Sequence, residues 1–212
     1  MIATRPLVDT LAEQELLESL LDAAKPSPPQ DAAHLHYLLF TPFRYPPLPH
    51  GSRFRSGIDP GVFYAADTVR AACAELGYWR WRFLIESPDL PEVEARQQTV
   101  FRVAIACTAV DLRVTPFDRD AARWTDPVDY SSCQAFARAA REGGVGAIRY
   151  ASVRDPEHGA CLALLRSDGF AAAVPRESQE WLLAVTRERV SWTRTNPLAP
   201  EAWEFAASGF SR

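Results

Sequence analysis

Val145-Gly146-Ala147-Ile148-Arg149-Tyr150-Ala151-Ser152 and, one polar stretch later, Cys161-Leu162-Ala163-Leu164-Leu165-Arg166 are short apolar runs bounded by turn-forming residues. Each reads as a strand. Immediately before them, Ser132 to Glu142 reads as a helix, capped by Asp129 or Ser131 and ended by Gly143-Gly144. Downstream, Trp181 to Thr186 and Val190 to Trp192 read as two more strands, paired in a hairpin around Arg187-Glu188, with Trp203 to Ala206 as an edge strand. Few helices among many short strands, without regular βαβ units or an internal repeat, predict one α+β domain with largely antiparallel sheets.

The N-terminal half fits the same class. Leu35 to Phe40 reads as a strand stopped by Pro42, followed by a loop with Pro46, Pro47 and Pro49. Val62-Phe63-Tyr64 reads as a strand, and Asp67 as the cap of a helix, Thr68 to Leu76, that Gly77 stops. Tyr78 to Ile85 is aromatic-rich and reads as a strand or an extended packing segment, and Thr99 to Cys107 and Val110 to Val114 as strands. At the start of the chain, Thr10 and Glu13 have capping-box spacing. Leu16, Leu17, Leu20 and Leu21 then form an apolar stripe expected to pack on the chain's own domain. The Pro-rich Lys25-Pro26-Ser27-Pro28-Pro29 ends that helix. Residues 1–30 therefore read as a helical extension with a linker, and 31–212 as the domain.

Composition narrows the function classes. With 212 residues, 47% hydrophobic and 24% charged, the chain has an ordinary globular make-up. A net charge of -4 argues against a generic nucleic-acid binder or an anionic-membrane surface protein. No run approaches a membrane span, and Met1 to Pro6 does not open a signal peptide, so a cytoplasmic protein is expected. Cys73, Cys107, Cys133 and Cys161 form no CxxC pair and read as reduced thiols. Lys25 is the sole lysine, which removes the usual residue of Schiff-base and Walker-type mechanisms.

Three features carry possible chemistry. Between Asp31 and Asp59 no acidic residue occurs, while Arg44, Arg53 and Arg55 lie there with His34, His36 and His50. Arginines without carboxylate partners stay in water or meet an external anion, and the guanidinium fork suits phosphate. A second acid-free run, Gly143 to Arg154, places Tyr150 and Ser152 on one face of a strand, with Ser152 at its end. Glu75 sits near a helix end beside Ala71 and Ala72, side chains too small to shield it. His34 and His36 share a strand face but have no third ligand at a metal-binding spacing, and Cys133 with His158 lacks any flanking signature.

Gly51-Ser52-Arg53-Phe54-Arg55, then Pro60-Gly61-Val62-Phe63-Tyr64-Ala65-Ala66-Asp67, then Ala71-Ala72-Cys73-Ala74-Glu75 resemble the RES-domain family of bacterial toxins. So does Gly146-Ala147-Ile148-Arg149-Tyr150-Ala151-Ser152-Val153-Arg154, and the likeness spans most of Leu35 to about Arg166. The resemblance implies that the name-giving Arg, Glu and Ser are Arg44, Glu75 and Ser152, with Arg53 and Tyr64 as further pocket residues. The family's common Gly-Gly-Arg-Trp-Asn turn is Gly51-Ser52-Arg53-Phe54-Arg55 here, so the inner arginine is Arg53 or Arg55, and Ala151 replaces the usual proline before the serine.

What the family implies is an ADP-ribosyltransferase-like fold of split antiparallel or mixed sheets that takes NAD as substrate, without a metal, and breaks its nicotinamide–ribose bond. It also implies a toxin–antitoxin pair whose Xre-like, DNA-binding antitoxin occludes the NAD pocket, the toxin itself touching neither nucleic acid nor membrane. In that frame Arg44, Arg53 and Arg55 hold the pyrophosphate and Tyr64 stacks on nicotinamide. Glu75 faces the oxocarbenium-like ribose, and Ser152 hydrogen-bonds the nicotinamide amide or ribose. Water, phosphate or a protein side chain is the acceptor. The readings from other classes are a protein ADP-ribosyltransferase and a non-catalytic module that binds a phosphate ligand or a partner.

Overall fold

The computed structural model describes residues 7–47, 49 and 51–210, and His50 lies outside them. The helices are α1 Leu11–Ala24, α2 Tyr37–Arg44, α3 Val69–Ile85, α4 Ala121–Trp124, α5 Ser131–Glu142 and α6 Ala207–Phe210. The strands are β1 Phe63–Ala66, β2 Val93–Arg102, β3 Ala109–Asp111, β4 Ala147–Ala151, β5 Ala160–Leu164, β6 Glu177–Val185, β7 Arg189–Arg194 and β8 Ala202–Ala206. They form two four-stranded sheets, β1-β5-β4-β3 and β2-β6-β7-β8. The first is mixed, since β3 runs parallel to β4, and the second is antiparallel throughout. The expected α+β class holds, as do the β6–β7 hairpin and the edge position of β8.

Strand alternation gives the first sheet a core on each face. From β4, Ile148 and Tyr150 point into a cluster with Cys133, Ala137 and Ala140 of α5, while Ala147 joins Leu39 of α2 on the opposite side. The second sheet buries Trp181, Leu183, Val190 and Trp192 against Cys73, Ala74, Tyr78 and Leu84 of α3, with Phe210 of α6 closing the cluster. α3 also touches β1 and β5, so one long helix spans both sheets. That position fixes where Glu75 lies.

Four expectations are corrected. Leu35 to Phe40 is no strand: His36 Nδ1 accepts the Leu38 N–H at 3.3 Å and starts α2, which buries Leu39 and leans Phe40 and Phe43 on the same cluster. Pro42 sits inside this helix, where the Thr41 hydroxyl donates to the Tyr37 carbonyl at 2.6 Å. Gly77 does not stop α3. A Cβ at Gly77 would lie 2.8 Å from Val190 Cγ1 and 3.3 Å from Trp192 Nε1, so the glycine is the point of closest approach of helix to sheet. The helix runs on through Tyr78–Ile85, and its cap is Thr68, which accepts the Ala71 N–H at 3.2 Å, in place of Asp67.

The fourth correction concerns α1. Its capping box forms as expected. The leucine stripe, however, faces outward, with Leu16 and Leu20 each 59% exposed. The two faces of the first sheet are taken by α2 and α5 and one face of the second by α3, and none of these clusters includes a residue of α1. Strand limits also differ: β2 starts at Val93 and ends at Arg102, and β3 ends at Asp111, whose carboxylate accepts the Arg113 N–H at 3.0 Å and turns the chain.

Candidate active site

The turn Gly51-Ser52-Arg53-Phe54-Arg55 is built to aim one arginine inward. Gly51 has φ +64, and a Cβ there would meet the Arg55 carbonyl at 2.2 Å, so only glycine fits. Ser52 and Arg55 exchange backbone bonds at 2.6 and 3.2 Å across the turn. The Tyr64 hydroxyl, reaching over from β1, accepts the Phe54 N–H at 2.9 Å and pairs with Ser52 Oγ at 2.8 Å. Phe54 is fully buried, edge-on to Tyr150 at 4.9 Å.

Arg53 is thereby buried. Its Nη1 donates to the carbonyls of Trp124 and Asp126, both at 2.9 Å, and its guanidinium lies 4.6 Å from the Tyr130 ring centroid. Arg55 turns the other way and staples the loop, donating to the Tyr45 carbonyl at 2.8 Å and the Asp59 carbonyl at 3.3 Å. Arg53 is therefore the inner arginine of the pair.

Glu75 projects from α3 towards the end of β4. Ser152 Oγ donates to Glu75 Oε1 at 2.5 Å. The same hydroxyl accepts the Arg154 and Asp155 N–H groups at 3.1 and 2.9 Å, so its hydrogen-bonding capacity is filled. Ser152 is 0% exposed. In this structure the serine holds Glu75, and the tight turn after β4 folds its own amides back onto the hydroxyl.

Arg154 completes the cluster. It is buried, its guanidinium lies 3.6 Å from the Tyr78 ring centroid, and Nη2 donates to the Pro127 carbonyl at 2.6 Å. Among the described residues, neither Arg53 nor Arg154 has a carboxylate within 4 Å in an ion pair, and both act on Glu75 at longer range. Burial pushes the Glu75 carboxyl above its ordinary value, while the Ser152 hydrogen bond and the charges of Arg53 and Arg154 pull it back down and Asp155 pushes it up. A partly buried carboxylate that feels two buried cations can stabilise positive charge on a bound group more strongly than one in open water.

Arg44 lies elsewhere. Its Nε donates to the Pro26 carbonyl, its guanidinium rests over Phe40 and Tyr45, and Asp22 of α1 feels its charge. No contact among the described residues joins it to Glu75 or Arg53, because α2 is a helix and carries residue 44 towards the linker. The structure thus places Arg44, expected as the name-giving arginine, away from Glu75 and Ser152, and places Arg53 in the interior. Arg149 also faces out, pairing with Asp67 and, at 3.7 Å, with Asp111.

Tyr64 divides its roles. Its hydroxyl is buried with the turn, and burial pushes it up to about 12, so it stays protonated. Its ring is 38% exposed and lines a cleft of about 920 Å³ between β1, the start of α3 and β2, with Asp67, Ala72, Leu76, Phe101 and Gln179. Glu75, Arg53 and Ser152 do not line this cleft. Tyr64 is the residue common to both places, and Ala72 and Leu76 flank Glu75 on α3.

His36 serves as a helix cap and His34 is exposed. No group of three or more His, Cys, Asp or Glu able to hold a metal occurs among the described residues. Cys133 is buried against the Trp124 carbonyl while His158 Nδ1 meets the Ser152 carbonyl at 3.0 Å, so these two do not form a nucleophile pair. All four cysteines are unpaired. No helix of the described residues is long and apolar enough to cross a membrane.

Sequence reasoning missed Tyr130, Gln134 and Arg154. Arg154 carried a signal, as the end of the second acid-free run. Tyr130 and Gln134 carried none, because a helix start at Ser131 does not reveal which turn it meets. No curated protein matches the chain. The profile described as RES domain, however, matches residues 28–186, which include Arg53, Glu75 and Ser152, and by that match the chain belongs to the RES-domain family.

Proposed function

We propose that the protein cleaves the nicotinamide–ribose bond of NAD, as the toxin of a toxin–antitoxin pair. The family supports an NAD-related role in a toxin–antitoxin context. The observation that carries the reaction is the Glu75 carboxylate, held by Ser152 at 2.5 Å and flanked by two buried arginines. The cleft of about 920 Å³ lined by Tyr64, Ala72 and Leu76 is of the size a dinucleotide needs, and Glu75 lies on the same helix as Ala72 and Leu76 without lining it.

In this reading the C1′–N1 bond breaks and nicotinamide leaves as a neutral base with the bonding pair. Positive charge grows on the ribose C1′ and ring oxygen. Glu75 stabilises that charge in the transition state, and its fixed orientation means no dipoles need reorganise as charge appears. Arg53 acts through its buried charge, which reaches Glu75, while Tyr64 supplies a wall for the substrate and holds the Arg53 turn. An acceptor oxygen then bonds to C1′: water, losing a proton to solvent, yields ADP-ribose, and inorganic phosphate yields the 1″-phosphate. An Xre-like antitoxin covering the cleft would block the reaction.

The test is nicotinamide release from NAD by the purified protein, with and without phosphate, beside the Glu75→Gln variant. Wild type should release nicotinamide, and the variant should lose on the order of 10²-fold in kcat with little change in NAD affinity. ADP-ribose attached to a protein would establish transfer instead. Binding without turnover by either form would establish a non-catalytic module.

A further inference from the structure

We propose that Gln134 is a positioning residue, which with Tyr130 makes the first turn of α5 the element that grips Arg53 at both ends. The inference rests on the reaction proposed above for its kinetic consequence, but not for its structural content. Tyr130 occupies the N-cap position of α5, without a capping side-chain bond and in place of the expected Asp129 or Ser131, and Gln134 follows four residues later on the same side. Gln134 N–H donates to the Tyr130 carbonyl at 2.9 Å, which locks that spacing. The Tyr130 ring meets the Arg53 guanidinium at 4.6 Å. Gln134 Nε2 donates to the carbonyls of Ser52 at 3.0 Å and Arg55 at 3.4 Å, the two ends of the turn that carries Arg53.

The geometry has a direct consequence. The carbonyls that hold the guanidinium, Trp124 and Asp126, belong to the segment leading into α5. Without Gln134, the guanidinium stays tied to that segment while the turn around Arg53 keeps its ties to Tyr64, Tyr45 and Asp59 and loses its bond to α5. The amide's two hydrogens match two acceptors, so a donor is required and an acceptor is not tolerated. Glutamate at this position would set a carboxylate against two carbonyl oxygens, whereas a protonated glutamate regains one donor.

The experiment uses the full chain with Gln134→Leu and Gln134→Glu. In Gln134→Leu, amide hydrogen exchange at Phe54 and Arg55 should accelerate about tenfold or more, with Ile148 in the core unchanged. Nicotinamide release should fall on the order of tenfold, as expected for a displaced catalytic group. For Gln134→Glu, the ratio of its rate to wild type should rise as pH falls and the new carboxyl protonates. Unchanged exchange at Phe54 and Arg55 in Gln134→Leu overturns the proposal, as does a Gln134→Glu ratio independent of pH. If wild type releases no nicotinamide, the reaction reading fails, while the exchange measurement still decides the role of Gln134. If Gln134→Leu also accelerates exchange at Ile148, the residue is a general packing contact and the proposal fails.

Discussion

The chemistry proposed for Glu75 rests on its lying partly buried near cations without being ion-paired. Because burial raises its carboxyl above the ordinary 4.5, nicotinamide release should fall as pH drops through that raised value, and Glu75→Gln should lack this acid limb. Stability has the opposite sense. A carboxyl raised on folding favours the protonated fold, so its contribution is complete below the unfolded carboxyl range and is lost as pH rises through the folded value. The melting temperature of wild type minus that of Glu75→Gln should therefore shrink from acid towards neutral pH. A difference that does not vary with pH would contradict the burial of this group. The arginines separate as cleanly. Arg53→Ala should lower the rate on the order of 10²-fold, and Arg44→Ala should leave it within about twofold, since Arg44 bonds the linker carbonyl of Pro26. Tyr64→Phe leaves the Phe54 N–H without its acceptor and should cost about 1–3 kcal/mol in urea unfolding.

At the scale of elements, α3 does the most. It lays Cys73, Ala74 and Tyr78 on the second sheet, turns Ala72 and Leu76 to the cleft and carries Glu75 towards β4. Gly77→Ala pushes a methyl to within 2.8 Å of Val190 and should destabilise the fold by about 1–3 kcal/mol, read as a lower urea midpoint. This glycine also shows where sequence reading stops. As punctuation, Gly77 ended a helix, and nothing local reveals that β7 presses against it from more than a hundred residues away. The strands from Ala147 onward were legible because their apolar runs are bounded by Gly, Pro and polar turns. α2 was not, since Leu38-Leu39-Phe40 satisfies either period and its starting cap is a histidine. In the candidate site, the contact of Glu75 with Ser152 agrees with their pairing by order and spacing, but the choice between Arg53 and Arg55 depended on which way a five-residue turn points. Only the Tyr64 and Gln134 contacts determine that.

The whole molecule is two sheet cores joined by one helix, with α1 standing off. Leu16 and Leu20 are both 59% exposed, and the family match begins at residue 28. A chain starting at Lys25 should keep its melting temperature within about 3 °C of the full chain, less than about 1–1.5 kcal/mol for a protein of this size. A larger loss would mean that α1 belongs to the folded core. Five of the six tryptophans are shared unevenly between the clusters of the two sheets, and Trp79 is exposed. Trp181, Trp192 and the partly buried Trp81 and Trp203 belong to the second sheet's cluster, and Trp124 alone to the first. Ultraviolet-excited emission of the native protein therefore reports mostly on one half. With the other five indoles replaced by phenylalanine, the glow of Trp124 would follow the loop that holds Arg53, an optical gauge placed by the fold itself against a buried guanidinium.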